Sequence, residues 1–256
     1  MVLTDKIVLI TGASSGIGQA AAITFANQGA KLLLCARRIE RLKELKAHLY
    51  RVHPDAQIHV FELDVRDREA VDEAIDALPE EWKQIDILLN SAGLSRGLDK
   101  LQEGLIEDWE EMLDTNVKGL LYMTRKVVPG MIARGRGHII NIGSIAGHEV
   151  YPRGNVYCAS KFAVDAITKG LRMDVVDTPL RVTTIDPGLV ETEFSEVRFH
   201  GDTERAKTVY KGLEALKPED IAETILWCAS RPAHVQIAEI VIFPTAQASA
   251  AVVHRA

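Results

Sequence analysis

Cysteine is scarce in this chain, and the three present form no pattern. Cys35, Cys158 and Cys228 are odd in number, far apart and outside any Cys-x-x-Cys spacing. That argues against a disulfide framework and for a reduced, cytoplasmic protein. Basic blocks are missing as well. With 30 Lys and Arg against 36 Asp and Glu, the net charge is −6, which argues against nucleic acid as the main partner. No apolar run reaches membrane-spanning length. The N-terminal Met1-Val2-Leu3-Thr4-Asp5-Lys6 leads straight into a candidate strand, without the regions of a signal peptide. The eight histidines show no metal-ligand spacing, so no metal is expected. Internal repeats and low-complexity tracts are lacking too.

What the chain has instead is regular alternation. Short, almost continuously apolar runs occur at Lys6–Ile10, Lys31–Cys35, Gln57–Leu63, Ile85–Leu89, His138–Ile142, Arg181–Ile185 and Ile237–Ile242. This is how parallel strands buried on both faces read. Helical patterns fall between them, around Gly18–Asn27, Ile39–Tyr50, Arg68–Ala77, Ile106–Arg134, Val156–Val176 and Pro218–Ser230. The expected fold is α/β: a Rossmann-type, doubly wound parallel sheet of about seven strands flanked by helices. Residues 1–256 suit one large domain, and 47% hydrophobic residues supply its core. The longest stretch without regular structure, residues 188–217, is expected to be a lid or substrate-binding loop.

Directly after the first candidate strand comes Thr11-Gly12-Ala13-Ser14-Ser15-Gly16-Ile17-Gly18, then a helix. Such a turn lets backbone approach a pyrophosphate while the helix N-terminus offers donors and a positive dipole. The second strand ends in Ala36-Arg37-Arg38. Sites that select the unphosphorylated dinucleotide place an acid here, on the ribose hydroxyls. Its absence, with two arginines following, predicts NADP(H), although Arg37 and Arg38 also suit a solvated helix start. Asp64, ending the third strand, suits either a bond to the adenine amino group or a strand-end cap.

Tyr157 and Lys161 stand four residues apart, about one helical turn, with Ser144 thirteen residues upstream. A tyrosine of pKa about 10 is a poor base at neutral pH. An adjacent ammonium favours phenolate, and lowering the pKa by roughly 2.5 units requires about 3.4 kcal/mol. The pair is thus a candidate acid/base for an alcohol oxygen. Chance supplies Tyr-x-x-x-Lys in roughly a quarter of such chains, so a half-buried tyrosine beside a solvated lysine is the bland alternative. Cys158 reads as a small helix residue facing away from the phenol.

Together, the glycine turn, Asn90-Ser91-Ala92-Gly93, Asp114-Thr115-Asn116, Ser144, Tyr-x-x-x-Lys and Pro187-Gly188 resemble the short-chain dehydrogenase/reductases over essentially the whole chain. Leu78-Pro-Glu-Glu-Trp82, Tyr122-Met-Thr-Arg125, Glu193-Phe-Ser-Glu-Val-Arg-Phe199 and Pro232-Ala-His-Val235 resemble the bacterial NADP-dependent 3-hydroxy acid dehydrogenases within that family.

The resemblance implies an NADP-dependent oxidoreductase that interconverts a small 3-hydroxy acid and its 3-oxo acid. Asn116, Ser144, Tyr157 and Lys161 would be its catalytic tetrad. Ser144 would bond the substrate oxygen and Tyr157 would move its proton. Lys161 would lower the tyrosine pKa and hold the nicotinamide ribose, and Asn116 would position a water. Gly12, Ser14, Ser15, Gly16, Ile17 and Gly18 would cradle the cofactor. Arg37, Arg38, Asp64 and Val65 would flank its adenosine; Asn90, Ala92 and Gly93 its ribose path; Pro187, Gly188, Val190 and Thr192 its carboxamide. A homotetramer is implied too. Serine at 91 departs from the family's Asn-Asn-Ala-Gly and puts a sheet-stabilising contact in question.

A hydroxy acid needs a cation for its carboxylate. Arg198, inside the subgroup-like run, is the first candidate; Arg153 and Arg96 follow. His148 and Glu149, close after Ser144, are pocket-shaping or plain loop residues. Two other readings remain: the same chemistry on a 3-oxoacyl thioester, sugar or steroid, and a non-catalytic NADP(H)-binding regulator.

Overall fold

The computed structural model describes residues 3–256. Seven parallel strands form one sheet in the order β3-β2-β1-β4-β5-β6-β7. They are β1 (Ile7–Thr11), β2 (Lys31–Ala36), β3 (Ile58–Glu62), β4 (Ile87–Asn90), β5 (Gly137–Ile142), β6 (Leu180–Pro187) and β7 (Glu239–Ile242). All seven expected strands are present, with ends displaced by no more than two residues.

Their continuous apolarity has a direct cause. Successive side chains point to opposite faces, and both faces are covered. Val8, Ile10, Leu32, Leu34 and Ile140 point to one side. There they join the core with α1 (Gly16–Ala26), α2 (Ile39–Val52) and α9 (Pro218–Ala229). Ile7, Leu9, Leu33, Leu88, Ile139 and Val182 point to the other side. They meet α3 (Arg68–Asp76) and α5 (Leu120–Arg134), whose Met123, Val127 and Met131 are buried.

The order reverses between β1 and β4, and in such sheets the crevice beyond the strands' carboxyl ends at that point is where ligands bind. The carboxyl ends of β1, β4, β5 and β6 deliver Gly12, Ala92, Ser144 and Gly188 to it. Helix α6 (Asn155–Asp174) carries Tyr157 and Lys161 underneath, both buried.

Two elements differ from the sequence expectation. The helix expected over residues 106–134 is broken into α4 (Ile106–Leu113) and α5 by a π-helical segment, Asp114–Gly119, which contains Asn116. Residues 188–217 are not structureless: they hold α7 (Phe194–Arg198) and α8 (Thr203–Thr208). Asp202 caps α8 by accepting from the Arg205 N–H at 2.9 Å.

Candidate active site

The site begins where β1 ends. Thr11 Oγ1 accepts from the backbone N–H groups of Ser91 at 3.1 Å and Ala92 at 3.0 Å, fastening the ends of β1 and β4 together. Gly12 follows with φ +66°, and a Cβ there would meet Ala92 Cα at 2.8 Å. The turn runs that close to its neighbour before opening into α1 at Gly16. The resulting cleft, about 330 Å³, is lined by the glycine turn, Ala36–Arg38, Leu63–Val65, Ser91–Leu94, Ser144, Tyr157, Lys161 and the first residues of the 188–217 segment. Its length and its glycine-lined wall, which side chains would fill, fit a dinucleotide.

At the adenosine end, Arg38 Nη2 donates to Ser15 Oγ at 2.7 Å and Nε to Ser14 Oγ at 3.3 Å. Its Nη1 meets Glu193 at 3.0 Å, and Arg41 meets the other oxygen of that carboxylate at 2.5 Å. Arg37 turns to Glu111 at 3.4 Å. Asp64 is occupied by Arg66, which donates Nη2 at 2.6 Å. Burial alone would raise the Asp64 carboxyl, but the Arg66 bonds and the charges of Arg66 and Arg37 hold it below its ordinary range. Asn90 is placed differently from the expectation. It is buried under the cleft floor, donating to Asn141 Oδ1 at 2.9 Å and Thr124 Oγ1 at 3.1 Å.

The reactive end gathers four residues. Asn116 Oδ1 accepts from Leu94 N–H at 2.8 Å, while its Nδ2 donates to Leu94 O at 2.8 Å and Ser160 Oγ at 3.0 Å. Both amide hydrogens are spent on fixing the loop after β4 and α6, while Oδ1 keeps a second acceptor site. Ser144, at the end of β5, accepts from Ala146 N–H at 3.1 Å. Tyr157 is buried, edge-on to Phe194 at 5.5 Å between centroids. Burial pushes its phenol above the usual value and Tyr151 adds to this, while Arg198 and Ser144 pull it back. Lys161 donates to Ile142 O at 2.9 Å and lies 5.9 Å from the Tyr157 ring centre. Burial lowers its pKa to about 8, against the raising charge of Asp186. The expected depression of Tyr157 by Lys161 is therefore not the dominant effect in this arrangement: desolvation is larger, and the ammonium has taken a carbonyl.

Arg198 is the arginine brought to the phenol. Its guanidinium lies 5.4 Å from the Tyr157 ring centre, 5.1 Å from Phe194 and 5.9 Å from Tyr151. Nε donates to Ser95 Oγ and Nη2 to Tyr151 OH, each at 3.0 Å. Among the described residues, no carboxylate is in ion-pair contact with it. Arg153 is exposed and lines a separate small pocket of about 20 Å³. Arg96 lines the cleft but is bound to Glu111 at 2.6 Å.

The sequence matches the short chain dehydrogenase family over residues 6–202. The chain belongs to that family. It is 49% identical over 251 residues to the NADP-dependent 3-hydroxy acid dehydrogenase YdfG of Salmonella typhi, covering 97% of this chain and 99% of that one. It is 45% identical over 254 residues to the NADP-dependent 3-hydroxy acid dehydrogenase of Schizosaccharomyces pombe, covering 99% and 98%. The closed form of a serine dehydrogenase complexed with NADP+ superposes with a TM-score of 0.92 at 48% identity, covering 98% of this chain and all of the other.

Sequence reasoning missed Thr11 as the clasp between strands, and Glu193 and Arg41 as partners of Arg38. It also missed Tyr151 and Ser95 as the holders of Arg198. Only Glu193 had a signal, standing first in the run that carries Arg198.

Proposed function

We propose that this enzyme interconverts a small, serine-like or 3-hydroxypropionate-like 3-hydroxy acid and its 3-oxo acid, with Tyr157 as the acid/base. The chain is an NADP-dependent dehydrogenase of the short-chain family. The observation that carries the substrate reading is Arg198, a guanidinium without an acidic partner, stacked against the ring of the candidate base. A carboxylate drawn to it would bring the adjoining carbon chain to Tyr157 and Ser144. The names borne by the relatives support the same substrate class.

Bound NADP(H) supplies or accepts the hydride. Ser14, Ser15 and the backbone N–H groups at the start of α1 would hold its pyrophosphate, and Arg38 with Arg41 would bind the 2′-phosphate. Ser144 bonds the substrate oxygen. Tyr157 takes its proton during oxidation and returns it during reduction. Lys161 supplies positive charge under the phenol, and Asn116 is a positioning residue that locks the Leu94 backbone at the cleft floor. The domain spans the chain, with residues 188–217 as the substrate-binding segment. Exposed Ile106, Leu113, Leu121, Phe162 and Met173 on α4, α5 and α6 fit the faces through which a homotetramer would pair. No helix among the described residues is long and apolar enough to cross a membrane, in keeping with a cytoplasmic enzyme.

Arg198→Ala tests the reading. Losing a charge-assisted bond of about 1.5–3 kcal/mol should cost roughly 10- to 100-fold in kcat/KM for L-serine or 3-hydroxypropionate beyond any loss on neutral alcohols, which feel only the change at the Tyr157 phenol. Equal losses on both substrate types would sink the carboxylate role.

A further inference from the structure

Behind Ser144 lies a carboxylate that none of the chemistry above uses. Asp186, on β6 just before Pro187, is 1% exposed. Its Oδ1 accepts from Ser144 N–H at 3.1 Å and from Thr184 Oγ1 at 2.9 Å. A Cβ at position 143 would collide with this oxygen, so Gly143 is what admits the carboxylate to the end of β5. The other oxygen, Oδ2, lies 3.3 Å from His148 Nε2, and neither atom makes a hydrogen bond among the described residues. The opposite ring nitrogen of His148 faces Glu239 at 3.9 Å. Glu239 reaches the surface, and Lys169 lies against it at 3.6 Å. A cation site is the less natural reading of this cluster. The two ring nitrogens address different carboxylates, and an ammonium already occupies Glu239.

We propose that Asp186 is a positioning residue of the reaction. Its buried carboxylate fixes the Ser144 backbone and sets a negative charge across Gly143 from the carbonyl that the Lys161 ammonium holds, while His148 and Glu239 line the way from that charge to solvent. The proposal rests on the reading of Tyr157 and Lys161 given above.

Both halves of the device act on one short stretch of chain. Lys161 grips the carbonyl of Ile142 and Asp186 the amide of Ser144, on either side of Gly143. Burial makes both charges costly: it draws Lys161 down and Asp186 up. Each moderates the other. Asp186 raises Lys161, and Thr184 and His148 pull Asp186 back toward ionisation, against Glu239. The two are not in ion-pair contact among the described residues, and each buried charge depends on its own polar partners. The charged groups facing the pair are Lys161, Asp165 and Lys169 on α6, His148 after β5, and Glu239 on β7.

The sign of the effect follows. Oxidation needs Tyr157 ionised and Lys161 charged, giving a bell-shaped pH profile of kcat/KM with an acid limb and an alkaline limb. Without the Asp186 charge, Lys161 loses its proton at lower pH. With less ammonium nearby, Tyr157 ionises at higher pH. Because Lys161 titrates below Tyr157, the form with both groups charged is a minor one, so the two limbs then move apart and the plateau between them falls.

The test is the pH profile of hydroxy acid oxidation in Asp186→Asn and His148→Gln, with thermal unfolding of the cofactor-free proteins as the folding control. Asparagine keeps an acceptor for Ser144 and Thr184; glutamine keeps a donor for Asp186. For Asp186→Asn the plateau should fall and the bell widen by about one pH unit per limb. For His148→Gln, the acid limb should fall by about half a unit. A bell that is lower but unmoved in both variants would mean a purely structural role and overturns the proposal. Movement in Asp186→Asn alone overturns the part given to His148. Should Asp186→Asn fail to fold, His148→Gln decides by itself. Tyr157→Phe, run alongside, keeps the two readings apart. Turnover surviving in that variant defeats the acid/base reading, whereas an unmoved bell with Tyr157→Phe inactive defeats only this proposal.

Discussion

The Lys161 ammonium donates to the Ile142 carbonyl at 2.9 Å while standing 5.9 Å from the ring centre of Tyr157, one helical turn away. Cation and phenol are both buried, and burial moves them in opposite directions, lowering the lysine pKa to about 8 and raising the tyrosine. Burial shifts both groups toward their neutral forms, so activating the phenol has to be driven against desolvation.

Lys161 should therefore weaken the fold at neutral pH. A lysine of pKa about 8 when folded and about 10.4 when unfolded costs stability in full below about 8, and that cost is relieved between about 8 and 10.4, where the unfolded chain holds more protons. Lys161→Met should be more stable than the parent at pH 7, by about 2–3 kcal/mol. The difference should shrink as pH rises from about 8 toward 10.4. Denaturant unfolding of both proteins across that window measures it. A pH-independent difference would mean that the ammonium is not desolvated.

Tyr157→Phe removes the oxygen proposed to exchange the substrate proton and leaves the ring against Phe194 and Arg198. Turnover should fall by about 10²- to 10⁴-fold in both directions. NADPH affinity, followed by fluorescence titration, should change little. Activity near that of the parent would move the proton transfer to another group.

Arg38 is held by Ser14, Ser15 and Glu193 at the adenosine end. Arg38→Ala should weaken NADPH binding by roughly 10- to 100-fold, the worth of a charge-assisted bond to phosphate, and leave NADH binding nearly unchanged. Calorimetry with the two cofactors makes the comparison. Parallel losses would show that Arg38 supports the turn rather than reads the phosphate.

The three thiols should be silent in the native protein. Burial pushes Cys35 to about 12 and Cys228 to about 11, and it raises Cys158 as well. Thiolate is the reactive form. A disulfide reagent at pH 8 should label none of the three before denaturation and all three after it. Rapid labelling of Cys158 in the folded state would reveal an opening beside Tyr157.

Much of this architecture was legible because parallel strands buried on both faces have an unmistakable residue pattern, and because the glycine turn needs its glycines where backbone meets backbone. Gly12 against Ala92 is such a place. The site was less legible wherever a residue's role depends on a distant partner. Nothing near Glu193 in sequence announces Arg38, which lies 155 positions away. Asp64 could not reveal that Arg66 would fold back on it. Asn90 read as part of the cofactor path because the Asn90–Gly93 motif as a whole resembles the family's, yet its side chain points into the sheet's buried amide network while Ser91–Gly93 line the cleft. The arginine choice shows the reverse: Arg198 was preferred from its local run, and the fold brings it to the phenol.

The π-helical segment between α4 and α5 has a consequence of its own. An α-helix turns about 100° per residue, and a π turn absorbs extra chain before the rotation resumes. Asn116 and the buried face of α5, with Met123, Val127 and Met131, are thus set to two different angular phases of one continuous rod. Deleting a single residue between Asp114 and Gly119 would leave a helix of ordinary hydrogen bonding and ordinary composition. It would also swing one of the two faces about 100° out of place, unseating either the amide that locks Leu94 or the core under β4. The number of residues in that short stretch is as much a functional constraint as the identity of any side chain in the cleft.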